Sequence, residues 1–231
     1  VIDCTQVHFM EGFILGSAER RSREMEHRRK DIIEAAEHVF FEKGYERSTM
    51  DDVAKEAEYS KRTLYAYFNS KEQIYFEIMI RGYRRLIGLL QDKLQGNNSL
   101  TALEALWEIT SVYYEFSCGE PHYFQAIIEY ENSLFDFQNG IPDESMDECY
   151  ALGEEALQFV KNALQKGVEE GSIRADLPVD QATMTLWASM LGIFSTVRTK
   201  KHYLERYYKI GPGEFIQESF RLLLRSLEPA Q

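Results

Sequence analysis

The sequence predicts an all-α fold in two parts, a small three-helix unit followed by a larger helical domain. Three observations carry this. Apolar residues recur at i, i+3, i+4 and i+7 along most of the chain, while alternating β-branched runs are few. The 14 glycines and 5 prolines are sparse, and they fall between the periodic segments. At 231 residues the chain exceeds the usual single-domain size, which favours a small domain plus a larger one.

The chain opens at Val1, with Met10 and Met25 both available as starts, and residues 1–23 read as an expression-derived or upstream-translated extension. Phe13-Ile14-Leu15 is too short, and its flanks too acidic, for a secretion signal. Arg20, Arg21 and Arg23 form a basic arm within it. The small unit is expected over 24–70. Ile32, Ile33, Ala36, Val39 and Phe40 make the apolar stripe of its first helix, and Gly44 stands where a left-handed residue would end it. Thr49 and Asp52 have capping-box spacing, and behind them Met50, Val53, Ala54 and Ala57 give one face of a short second helix. Ser60 caps a third, with Leu64 and Phe68 turned inward and Lys61, Arg62, Thr63, Tyr65 and Tyr67 outward. Only Glu58-Tyr59 separates these two helices, so they meet steeply, as in a helix-turn-helix. An exposed helix of this size fits the major groove of B-DNA.

The larger domain is expected over 71–231. Ser70 and Gln73 open a helix from Lys71 to about Leu94, which ends at Gly96-Asn97-Asn98. The next starts near Thr101, carries Leu103, Leu106, Trp107 and Ile109, and stops at Gly119-Glu120-Pro121. A third spans about His122–Ser133. Gly140 and Pro142 mark a loop from Leu134 to Glu144, and a long helix then runs from Ser145 to Glu170, closed by Gly171. Two more follow Pro178, at about Asp180–Tyr208 and Glu214–Leu227, separated by Gly211-Pro212-Gly213. Their apolar stripes are Leu186, Met190, Ile193 and Val197, and Ile216, Phe220, Leu223 and Leu227.

The segments Arg29-Lys30-Asp31-Ile32-Ile33-Glu34-Ala35-Ala36, Phe40, Gly44, Ser48-Thr49, Val53-Ala54, Ala57, Ser60, Thr63-Leu64-Tyr65, Phe68 and Ser70-Lys71-Glu72 together resemble the N-terminal domain of the TetR family of transcriptional regulators. The resemblance runs from about Arg29 to Ile74. Glu58 departs from it, because the family usually has glycine in that turn. If Glu58 is left-handed, its Cβ costs on the order of 1 kcal/mol. The resemblance implies that Lys61, Arg62 and Thr63 touch bases or nearby phosphates, and that Thr49, Tyr65, Tyr67 and Lys71 hold the DNA backbone. These chemistries agree with the residue types, since Arg bonds guanine bidentately, Thr meets the thymine methyl, and Tyr and Lys suit phosphate oxygens. One of the two tyrosines is equally able to pack under the helix.

The resemblance further implies a homodimer on pseudo-palindromic double-stranded operator DNA, and an effector-binding and dimerisation role for the larger domain. The last two helices would pair with their mates through Leu186, Met190, Ile193, Ile216, Phe220, Leu223 and Leu227, or those stripes form an internal core. A small-molecule effector would meet Trp107, Tyr114, Phe124 and Trp187 among the domain's many aromatics, Phe135 and Phe137 included, although aromatics at helical spacing also make plain core. Glu129 and Glu131 are candidates to select a cationic, aromatic or lipophilic effector, or else form a solvated face.

The net charge of −12 excludes a general nucleic-acid binder held by bulk electrostatics. Binding must rest on Arg28, Arg29, Lys30, Lys61, Arg62 and Lys71, because Asp51, Asp52, Glu56 and Glu58 crowd the second helix. The three cysteines, Cys4, Cys118 and Cys149, have no metal-ligand spacing with histidine, so no structural metal is expected and reduced cytoplasmic thiols are the simplest reading. No stretch is apolar for long enough to span a membrane. No Ser/His/Asp set or glycine-rich phosphate loop appears, and neither enzymatic activity nor a cofactor is expected. The expected function is a DNA-binding regulator, a repressor released by its effector. The alternative is a helical small-molecule-binding or interaction protein with a vestigial DNA head.

Overall fold

The computed structural model describes residues 4–95, 100–131 and 144–229. Among these residues every regular element is helical. The expected break at 96–98, most of the loop at 134–144, and Phe135 and Phe137 lie outside the described residues. The chain divides into two compact units, Val1–Glu77 and Ile78–Gln231.

The first unit begins with α1, Cys4–Lys43, which carries the residues read as an extension and the expected apolar stripe in one helix. Ile32, Ile33, Ala36, Val39 and Phe40 are all buried. Gly44 ends it at φ +81°, with its N–H donating to the Phe40 carbonyl at 2.9 Å. Helix α2 spans Met50–Glu56 and α3 spans Lys61–Tyr67. Between them Glu58 stands at φ +56°, the left-handed region for which glycine is suited and a Cβ is not. The Tyr59 N–H closes the turn onto the Ala54 carbonyl at 2.9 Å. Helix α4, Lys71–Gln95, starts with the expected cap, Ser70 Oγ accepting from the Gln73 N–H at 3.1 Å. Leu64 and Phe68 are inaccessible to solvent, and Ile74 and Tyr75 near the start of α4 are buried as well. Burying each such large side chain contributes about 1.5–3 kcal/mol, and this is what fixes α3 on its small scaffold.

The second unit holds the rest of α4 and five further helices. These are α5 (Ala102–Gly119), α6 (Pro121–Glu131), α7 (Glu144–Glu170), α8 (Val179–Tyr203) and α9 (Pro212–Arg225). Helix α5 opens with a full capping box between Thr101 and Glu104. It lies centrally, packed on α6, α7 and α9, while α8 packs on α7 and α9. A run of rings, Phe116–Phe124–Phe194–Phe220, links α5, α6, α8 and α9 at centroid separations of 6.1, 4.7 and 6.4 Å. Gly167 lets α7 meet α5 and the following turn, because a Cβ there would lie 2.5 Å from Ile173 Cδ1 and 2.8 Å from Ala102 Cβ. Gly171 closes α7 at φ +74°, as expected.

The penultimate helix differs from expectation at its end. Lys200 leaves helical geometry (φ −122°, ψ 17°), and Leu204–Tyr208 form a π-helical turn whose last bond runs from the Lys209 N–H to the Leu204 carbonyl. Lys209 then turns left-handed at φ 59°, just before the Gly211-Pro212 break that the chain must make.

Candidate functional site

In the first unit, the sequence-predicted DNA residues fall on one cap, one exposed helix and one tether. Thr49 caps α2: its hydroxyl accepts from the Asp52 N–H at 3.2 Å and donates to Asp52 Oδ2 at 2.7 Å. Lys43 Nζ sits 2.6 Å from Asp52 Oδ1. That bond, with those from Thr49, draws the Asp52 carboxyl down to about 2. Ser60 caps α3, accepting from the Thr63 N–H at 3.1 Å, and its hydroxyl shares a 2.8 Å bond with Thr63 Oγ1. Thr63 is thereby half-buried and oriented, whereas Lys61 and Arg62 project into solvent. Tyr65 is 46% exposed and Tyr67 half-buried.

Most of the nearby cations are already engaged. Lys61 pairs with Asp51 at 2.8 Å, which raises its pKa through the hydrogen bond first and the charge second. Arg28 pairs with Glu24 one helical turn away. Arg29 is held by Glu77 at 2.6 Å, donates to the Tyr67 carbonyl at 3.3 Å, and lies 4.4 Å from the centroid of Phe68. Lys30 is 3.6 Å from Glu34. Lys71 donates to the carbonyls of Tyr45 (2.8 Å) and Ser48 (3.1 Å), with its ammonium 4.0 Å above the Tyr45 ring. It therefore ties the α1–α2 connection to the start of α4. Arg62 alone among these six makes no ion pair or hydrogen bond with any described residue.

In the second unit, α4, α5, α6, α7 and α8 enclose a cavity of about 220 Å³. Its wall includes Phe124 and Trp187, two of the four expected effector residues. Leu86, Tyr83, Tyr113 and Ile128 of the wall are buried, while exposed Glu154 and Met184 mark the rim. Trp107 lies elsewhere, on an open groove beside Arg221, whose guanidinium is 5.8 Å from its ring. Tyr114 also stands apart from the cavity, against Gly213, and the neighbouring Cys118 thiol raises its hydroxyl's pKa. Glu129 does not line the cavity either. Its carboxylate takes Arg198 at 2.6 Å and Gln125 at 2.9 Å, and the Glu131 side chain lies outside the described residues.

Residues 32–78 match the family model described as bacterial regulatory proteins, tetR family. The negative transcriptional regulator IcaR of the biofilm operon icaADBC, from Staphylococcus aureus strain Newman, is 28% identical over 60% of this chain and 73% of its own length. The HTH-type transcriptional regulator YfiR of Bacillus subtilis strain 168 is 26% identical over 66% of this chain and 71% of its own. The fold matches the crystal structure of FadR from Bacillus subtilis in complex with stearoyl-CoA, with a TM-score of 0.63 at 20% identity over 86% of this chain and 97% of that one. A TetR-family regulator from Shewanella sp. PV-4 matches at 0.61 and 16%, over 88% and 99%. The chain belongs to the TetR family.

As a TetR-family regulator it carries its helix-turn-helix where the sequence placed it, at α2 and α3. The residues expected at the dimer contact divide by face. Ile216, Phe220 and Leu227 are buried in the second unit's own core, with Leu224 beside them. Leu186 and Met190 are half-buried and line internal cavities, and Ile193 and Leu223 are half-buried. What α9 presents outward is Leu222, 68% exposed, with Ser219 and Phe215 one and two turns earlier. The outward face of α8 is Thr185, Ala188 and Gly192, and a Cβ on Gly192 would meet nothing within 4 Å. The most hydrophobic stripe of each helix marks the face it buries first, and that is the protomer's own core. Tyr83, Tyr150 and Glu154 of the cavity wall also escaped the sequence reading. The signal available was on α7, where Tyr150, Gly153, Glu154 and Leu157 share one face at spacings of three and four.

Proposed function

We propose that this chain is a repressor that binds a pseudo-palindromic operator in double-stranded DNA as a homodimer and lets go when a small molecule occupies the second unit. The observation that carries the reading is Arg62. It stands exposed and unengaged in the first turn of a helix capped by Ser60 and anchored by solvent-free Leu64 and Phe68. A free guanidinium so placed is a reader of guanine, while Lys61, Thr63 and Tyr65 flank it and Thr49 and Tyr67 face the backbone. Lys71 reaches DNA only through its remaining N–H, because two are spent on carbonyls. The negative regulation named for IcaR supports the sign.

Leu222, Leu223 and Phe215 on α9, against the small residues Ala188 and Gly192 on α8, supply the self-complementary face that a two-fold pair needs. The cavity of about 220 Å³ supplies the effector site. Effector binding then acts by its differential affinity for a DNA-competent and an incompetent state.

The test is titration of the full chain onto its own promoter DNA by anisotropy at several salt concentrations. Arg62→Ala is expected to cost about 1–3 kcal/mol and to relax sequence preference. Unchanged affinity with unchanged preference removes α3 as the reading helix. Sedimentation of the wild type and of Leu222→Glu checks the pair: a wild-type monomer at micromolar concentration refutes it.

A further inference from the structure

We infer that the cavity of the second unit takes a small aromatic cation, with its ring system inside and its positive charge at the rim beside Glu154. This rests on the effector reading above and adds the chemical class. Aromatic rings line the cavity, among them those of Tyr83, Tyr113, Phe124 and Trp187, and among the described residues no Lys, Arg or His contributes to its lining. Glu154 is the only carboxylate of that described wall. Its side chain is exposed, and it makes no ion pair or hydrogen bond with any described residue.

Each of these facts bears on ligand charge. Ring faces carry negative potential and attract cations. An anion entering the cavity would lose its water with no positive partner to replace it. A cation keeps part of its hydration at the rim, meets the free carboxylate, and lies over the aromatic wall. Glu129 offers no competing charge, because Arg198 already neutralises it. The volume sets the size. About 220 Å³ is roughly one and a half times an apolar cavity that holds benzene, which admits two fused rings. Long-chain acyl groups are excluded on size and acidic headgroups on charge.

Three bicyclic probes of matched size test this by calorimetry on the full chain: N-methylquinolinium, neutral quinoline at mildly alkaline pH, and 2-naphthoate. The cation is expected to bind about ten-fold tighter than quinoline, and 2-naphthoate not measurably. Glu154→Gln is expected to weaken the cation by about three- to five-fold, the scale of an exposed charge pair, and to leave quinoline unchanged. Met184→Arg, at an exposed rim position that does not endanger folding, is expected to reverse the order of cation and anion. In a Trp107→Phe background, fluorescence from Trp187 alone reports entry into the cavity.

Tight binding of 2-naphthoate to the wild type overturns the inference, as does an unchanged charge order in both Glu154→Gln and Met184→Arg. Quinoline binding as tightly as the cation, with Trp187 quenched and operator released, overturns the charge class and leaves the effector reading standing. No binding by any probe overturns the inference as well, and operator release by other molecules then decides the effector reading separately.

Discussion

Replacing Lys71 with Met separates two roles for one ammonium. In this structure the Lys71 Nζ donates to two main-chain carbonyls, of Tyr45 and Ser48, and caps the Tyr45 ring at 4.0 Å. Methionine keeps the unbranched stem and its packing while deleting the charge and the donors. A charged hydrogen bond is worth about 1.5–3 kcal/mol and a surface cation–π interaction about 0.5–1 kcal/mol. Lys71 is half-exposed, so water replaces part of what is removed, and a net loss of about 2 kcal/mol is expected. Hydrogen exchange of the α2 and α3 amides reads this locally as opening about 30-fold more frequent, without requiring the whole chain to unfold in one step. The salt dependence of operator binding is the second readout. Removing a phosphate ligand would lower the slope by about one, whereas removing a tether leaves it unchanged. Wild-type exchange together with a slope reduced by about one would refute the tether and make Lys71 a phosphate ligand.

Four further outcomes are expected. Glu58→Gly removes a Cβ from φ +56° and should stabilise the first unit by up to about 1 kcal/mol, strain relief exceeding the flexibility gained when unfolded; equal melting of Glu58→Gly and Glu58→Ala would count against strain. Asp51→Asn frees Lys61 from its 2.8 Å partner, and operator affinity at low salt should rise a few-fold, measured by anisotropy. Asp52, depressed to about 2 in the folded state, contributes stability that is complete above the ordinary carboxylate range and is lost as pH falls from about 4 to about 2; acid melts of wild type and Asp52→Asn should converge below that window. Gly167→Ala forces a methyl to 2.5 Å from Ile173 and should cost the second unit about 1–3 kcal/mol in thermal denaturation.

The first unit was legible because its signals are local. Caps at Thr49 and Ser60, the turn at Glu58 and the stop at Gly44 each act through backbone groups a few residues away, and each appears where the spacing put it. The charge state around α3 was not legible. Asp51 neutralises Lys61 from ten residues away and Glu77 holds Arg29 from 48 residues away, and no pattern announces such partners. In the second unit helical periodicity gave the elements but not the assignment of faces. A stripe such as Ile216, Phe220 and Leu227 says only that a surface is buried, and packing against α5 and α8 decides by what. Cavity walls are harder still. Tyr83, Tyr113 and Tyr150 come from three helices, so their convergence is a property of the fold and not of any segment.

On the proposed DNA-binding reading, the pre-paired cations around α3 bear on how the molecule divides its time on a chromosome. For a protein that reads DNA, every random stretch competes with the operator, and about 10⁶–10⁹ such stretches are present. A fringe of free lysines and arginines would spread the regulator over all of them. Here Lys61, Arg28, Arg29, Lys30 and Lys71 hold internal partners, and each must exchange its partner before it can meet a phosphate. On the proposed DNA-binding reading, this pairing lowers the non-specific share of the affinity relative to the contact that Arg62 makes in a matching groove.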